Sequence, residues 1–187
     1  MDPTTLHLVI AGVVVLLLVL LIALVARAGR SRRLRRDFGP EYDRAVQTSG
    51  ARAAEAELLR RRKRMGKLSL RPLSEQEREG FAAEWDHTQT LFVDEPSAAV
   101  TRADKLLGQA MESRGYPLND FDQQSADLSV DHPVVVQNYR AAHAIALRHD
   151  RGEASTEELR QAMLHFRTLF DELVGTHRPA RTPQPAH

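Results

Sequence analysis

LVIAGVVVLLLVLLIALVA, Leu8 to Ala26, decides how the rest of the chain is read. These nineteen residues carry no charge and are almost all Val, Leu, Ile and Ala. A bilayer core takes about 20 apolar residues as helix. A core helix of a soluble domain usually keeps a polar stripe, and this stretch has none. A cleaved signal peptide has a positive n-region and an apolar run of about 7–15 residues. Here Met1 to His7 holds no Lys or Arg, and the run is longer. Ala26-Arg27-Ala28 fits a small-x-small cleavage site only superficially, because an arginine stands in its middle. The stretch therefore reads as a transmembrane helix over 8–26. Helix pairing in lipid uses small residues four apart. Gly12 is the only glycine in the span, with Leu8 and Leu16 four away on either side, so no pairing face stands out.

Working outward, Arg27, Arg30, Arg32, Arg33, Arg35 and Arg36 follow the span at once, whereas the other flank carries only Asp2. Lys and Arg stay on the cytoplasmic side. The sequence thus predicts a short extracytoplasmic segment over 1–7 and a cytoplasmic remainder. The six arginines are expected at the membrane surface, against anionic lipid head groups of the bilayer.

The net charge of +1 hides a split. Residues 27–71 carry fifteen Lys/Arg against five Asp/Glu, net +10; residues 72–175 carry nine against nineteen, net −10. The chain reads as a basic juxtamembrane stalk followed by an acidic domain. Such a domain argues against nucleic acid as partner. The absence of cysteine excludes disulfides and thiolate metal sites, and 23 Arg against 3 Lys suggests a GC-rich bacterial genome.

Within the stalk, Gly39-Pro40 interrupts a helix and can start the next, with Pro in the first turn. Glu41 and Asp43 suit the positive end of that helix, and Ser49-Gly50 ends it. Ala51 to Met65 is helical by propensity. Its basic run, Arg60 to Arg64 with Lys67, admits three readings: a solvated helix end, a lipid contact or a nucleic-acid contact. No aromatic residue is interleaved, so base stacking is unsupported.

The acidic segment is punctuated more regularly. Ser74-x-x-Glu77 and Ser155-x-x-Glu158 are capping boxes. Phe81, Trp85, Thr88 and Phe92 share a helix face, as do Val100, Ala103, Leu107 and Ala110. Gly115 is placed to close a helix, with Pro117 beyond. Asn119 or Asp120 caps a short segment to about Leu128. Asp131-His132-Pro133 reads as the start of the next helix, with Val135, Tyr139, Ala142 and Ala146 inward. Leu159, Met163, Phe166, Phe170 and Leu173 form the last face, stopped by Gly175. Val134 to Val136 is β-branched but leads into a helical pattern. The fold class is all-α: four main helices and a short one over 72–175, antiparallel where connections are short. Residues 176–187, with three prolines and no periodicity, are expected to be disordered.

Chemistry is sparse. Asp120, Asp122, Asp127, Asp131, His132, His143, His149 and His165 are the candidate ligands. Metal-binding bundles use Glu-x-x-His pairs, yet Arg140, Ala146 and Ala162 stand three before His143, His149 and His165. No zinc-helix motif, nucleophile elbow, P-loop or dinucleotide glycine motif occurs. Cofactors and metals are therefore expected to be none, and the balance leans away from an enzyme. One irregular region, 114–143, holds a possible polar site of Arg114, Asp120, Asp127, Asp131, His132, Arg140 and His143. Its simpler explanation is a buried polar tie in which Arg114 and Arg140 pair with the aspartates.

Phe38-Gly39-Pro40-Glu41-Tyr42-Asp43-Arg44, Arg114-Gly115-Tyr116-Pro117, Ala126 to Pro133 and Asn138-Tyr139-Arg140 make a pattern over 38–173. It resembles uncharacterised bacterial membrane proteins, many actinobacterial, with one N-terminal span. The resemblance implies an anchor and a helical domain, and no activity. Function is expected to be that of a membrane-tethered adaptor or scaffold with a protein partner. The alternatives are a ligand-binding or enzymatic domain around 114–143, or an envelope protein with its domain outside.

Overall fold

The computed structural model describes residues 3–117 and 119–175. The described residues form eight helices and no strand. They are α1 (Pro3–Phe38), α2 (Pro40–Ser49), α3 (Ala51–Met65), α4 (Glu75–Asp94), α5 (Pro96–Ser113), α6 (Phe121–Asp131), α7 (Val136–Asp150) and α8 (Thr156–Val174). The segment 176–187, expected to be disordered, lies outside the described residues, as do Met1 and Asp2. The chain divides into two compact units, Met1–Leu58 and Leu59–His187, with the boundary inside α3.

In the first unit, α1 is long and apolar enough to cross a membrane, and none of its apolar window is buried. It does not stop at the arginines but continues unbroken to Phe38. Gly39, at φ +45, breaks it, and Pro40 starts α2 at the first turn. Gly50, at φ +76, ends α2. Ser31, Leu34 and Phe38 recur at three and four along α1, so one side of its last turns faces inward. Leu34, Phe38, Tyr42, Ala45, Ala54 and Leu58 are buried together with two carboxylates, Glu41 and Glu55.

The second unit has a large apolar core. Both expected capping boxes form: Ser74 with Glu77 on α4, Ser155 with Glu158 on α8. α5 packs on α4 and α8, and α7 packs on α8. Trp85, Val100, Ala103, Leu107, Ala110, Tyr139, Ala142 and the whole face Leu159, Met163, Phe166, Phe170, Leu173 are buried in one cluster. Trp85 stacks on Phe170 at 4.6 Å between ring centroids. Leu73 belongs to this cluster, and so does Met65, with Leu68 and Leu70 packed against it, although composition groups residues 65, 68 and 70 with the stalk.

Two details differ from the sequence reading. The short helix α6 runs on to Asp131, so Asp131-His132-Pro133 ends a helix instead of starting one. His132 is its C-cap, with its N–H on the Leu128 carbonyl, and α7 begins only at Val136. The Asp and Pro that signal a helix start are here a last turn and a stop, since Pro is also common just past a C-cap. At Gly115 the reading holds: Tyr116 N–H reaches the Met111 carbonyl and Gly115 N–H that of Glu112, the paired bonds of a Schellman end. Gly115 has φ +95, and a Cβ there would stand 2.8 Å from the Ser69 carbonyl oxygen. The connection from α3 to α4 lies that close because Arg71 N–H donates to the Arg114 carbonyl at 2.9 Å.

Candidate functional site

In the first unit the charged residues sort themselves by geometry. Glu41 is fully buried near the first turn of α2, where the helix dipole favours an anion, and it accepts from Arg44 Nε at 3.1 Å. Glu55 accepts from the Ser31 hydroxyl and, at 3.1 Å, from the Tyr42 hydroxyl. Burial and the Glu55 carboxylate push the Tyr42 hydroxyl's pKa up. Of the six arginines that follow the span, Arg27 to Arg36, which form a basic collar, Arg35 pairs with Asp43 at 2.9 Å, while Arg33 and Arg36 lie 3.9 and 3.6 Å from Asp37. Arg27, Arg30 and Arg32 are exposed and have no acidic partner among the described residues.

In the second unit the residues singled out over 114–143 fall into two groups. The first is a set of ties. Asp127 is almost fully buried, and its Oδ1 accepts from Arg64 Nε at 2.8 Å, Arg64 Nη2 at 2.6 Å and Gln123 Nε2 at 2.8 Å. Arg61 donates to Ser129 Oγ at 3.3 Å. The basic end of α3 is thus engaged by α6. Asp131 accepts from the Tyr116 hydroxyl at 3.1 Å. Burial, with the nearby Asp131 charge, raises the Tyr116 pKa. His132 Nδ1 lies 2.9 Å from Glu172 Oε1, and Arg114 Nη1 donates to the Leu173 carbonyl at 3.1 Å. Polar contacts tie this region together, but not through the expected pairs: the cation on Asp127 is Arg64 from α3, and Arg114 donates to a backbone carbonyl.

The second group lines an open groove of about 470 Å³: Asp120, Phe121, Asp122, Arg140, His143, Ala144 and Leu147. Asp120 caps α6 by accepting from Gln123 N–H at 2.9 Å, and Arg140 Nη2 is 3.5 Å from the Ser125 carbonyl. The His143 ring stacks on Phe121 at 3.6 Å with 10° between planes. Asp104 on α5 is half-buried, and one carboxylate oxygen has no hydrogen-bond partner. Burial raises its pKa, partly offset by the charge of nearby His143. No motif or spacing singles out Asp104; only its place on α5 near His143 does so. Among the described residues no three His, Cys, Asp or Glu side chains are grouped to hold a metal ion. No protein-family model matches the chain, and neither a curated protein nor a solved structure is detectably similar to it.

Proposed function

We propose that the chain is a membrane-tethered helical adaptor or scaffold, with its acidic unit at the cytoplasmic face of a bacterial membrane. The observation that carries the reading is α1, an apolar helix whose apolar window is unburied among the described residues and that runs on without a break into six arginines. Lys and Arg next to a span favour the cytoplasmic side, which leaves the short N-terminal flank outside. The acidic unit supports a protein partner better than nucleic acid. Most of its polar residues over 114–143 are engaged in holding helices together, which leaves surface shape as the means of recognition. Val93, Val134, Leu147 and Leu164 are large apolar residues on that surface.

Proximity labelling from the C-terminus of the full chain in its native host tests the adaptor reading. The control carries α1 and the collar fused to an unrelated soluble domain. A small set of proteins enriched over the control is expected; labelling identical to the control would overturn the reading.

A second reading, a ligand-binding or enzymatic domain, is favoured by one observation: the groove that sets His143 and Arg140 side by side with the partly unpaired Asp104 nearby. A small molecule that raises the melting temperature of the full chain, and fails to do so after His143→Gln, would favour it.

A further inference from the structure

The collar has an internal division that charge counting does not reveal. α1 is one unbroken helix from Pro3 to Phe38, so depth along it follows from the rise of about 1.5 Å per residue. Leu8 to Ala26 spans roughly 28 Å by that rise, close to a bilayer's hydrocarbon core of about 30 Å. Measured from Ala26, Arg27, Arg30 and Arg32 stand about 2, 6 and 9 Å beyond the core. Arg33, Arg35 and Arg36 stand about 11, 14 and 15 Å beyond it. The headgroup layer of one leaflet is only about 5–8 Å thick. Arg27 and Arg30 are therefore within headgroup reach, Arg32 is at its edge, and a long side chain covers the difference.

Pairing draws the line between Arg32 and Arg33, which depth alone does not separate. Arg33 and Arg36 share Asp37, and Arg35 holds Asp43. The three arginines nearest the core have no acidic partner among the described residues. Successive helix residues turn by about 100°, so Arg27, Arg30 and Arg32 point in three directions around α1. They would meet several lipids around the helix and do not form one pocket. A guanidinium also presents paired N–H donors that match two oxygens of a phosphate.

We infer that Arg27, Arg30 and Arg32 bind the phosphates of anionic phospholipid head groups, while Arg33, Arg35 and Arg36 serve the chain's own ion pairs with Asp37 and Asp43. The inference rests on the membrane reading above. It narrows the lipid contact from six arginines to three.

The test uses the full chain reconstituted in phosphatidylcholine vesicles containing a minority of phosphatidylglycerol. Spin-labelled forms of each lipid report how much is immobilised by the protein. The unchanged chain should restrict phosphatidylglycerol several-fold more than phosphatidylcholine. The variant R27Q/R30Q/R32Q should bring that ratio to parity, and R33Q/R35Q/R36Q should keep it. Added inorganic phosphate should reduce the preference no more than chloride of equal ionic strength. Equal losses in the two triple variants, no preference in the unchanged chain, or specific displacement by inorganic phosphate would each overturn the inference. Alkaline extraction of the same vesicles separates the two levels. A chain released by alkali overturns the membrane reading and this inference with it. An embedded chain without lipid preference overturns only the inference.

Discussion

The two units bury charge in opposite proportions. Among the described residues, the first places two carboxylates, Glu41 and Glu55, with six buried apolar side chains. The second surrounds one buried carboxylate, Asp127, with a core that includes Trp85, Phe166, Phe170, Leu107 and Leu169. A buried charge costs free energy unless it is paired and hydrogen-bonded. The first unit therefore depends on particular polar contacts, whereas the second depends on apolar burial with a few ties added. Changes of the same kind should have different consequences in the two.

The largest effect should come from removing the residues that join the acidic unit by packing, not by charge sign. A fragment of residues 72–175 lacks Met65, the flanking Leu68 and Leu70, and the Arg64 partner of Asp127. Burying one Met side chain contributes about 1.5–3 kcal/mol. An unpaired buried carboxylate costs about 3–5 kcal/mol. The fragment 59–175 should therefore unfold at clearly higher denaturant concentration than 72–175. Equal midpoints would place the domain boundary at residue 72. Arg64→Met in the longer fragment isolates the polar share, since methionine keeps the packing of the stem.

Next in size is Phe166→Ala. Phe166 is fully buried in the middle of the α8 face, and truncation there should cost about 3–5 kcal/mol in transfer and cavity terms. That is a large share of the roughly 5–15 kcal/mol of a whole domain. Thermal melts measure it; an unchanged melting temperature would remove this face from the core.

The corresponding probe of the first unit is smaller. Tyr42→Phe keeps the ring and deletes the hydroxyl that donates to Glu55. A typical net hydrogen bond is worth about 1 kcal/mol, and about twice that when the acceptor is charged. Amide exchange over residues 40–58 should accelerate in the full chain while exchange in α8 stays the same. Acceleration in α8 as well would mean that the two units do not respond separately.

The smallest effect carries a sign. Burial raises the Asp104 pKa in the folded chain. The folded state then holds its proton to higher pH than the unfolded state does. Stability contributed by Asp104 is present below the unfolded pKa and declines as pH rises toward the folded one. Asp104→Asn removes that decline. The variant should match the unchanged chain in strongly acidic solution and melt above it near neutrality. The opposite order near neutrality would mean that the carboxylate is stabilised by a contact with His143.

What could be read from the sequence was whatever one helical turn decides. Ser74 and Glu77, Ser155 and Glu158, Gly39-Pro40, Gly50 and Gly115 each act within four residues, and each marks a helix end in the structure. The apolar faces of α4, α5 and α8 follow from period alone. The partner of Asp127 could not be read this way, because Arg64 lies 63 positions away inside a run whose neighbours have similar charge. Nor could the collar's division, which depends on α1 continuing to Phe38 and on Asp37 and Asp43 lying within reach of particular arginines. His132-Pro133 misled for a local reason: a stop after one helix and a start before another use the same residues. The groove at His143 draws on α6 and α7, with Asp104 of α5 nearby, so no single segment announces it.

The chain's lack of cysteine makes one test of the membrane tether unusually direct. Single cysteines are introduced at Thr4 and at exposed Glu153, one per variant, and intact cells are treated with a membrane-impermeant maleimide. The positive-inside argument gives labelling of Thr4→Cys in intact cells and of Glu153→Cys only after permeabilisation. Labelling of Glu153→Cys in intact cells would put the acidic unit outside and contradict the account.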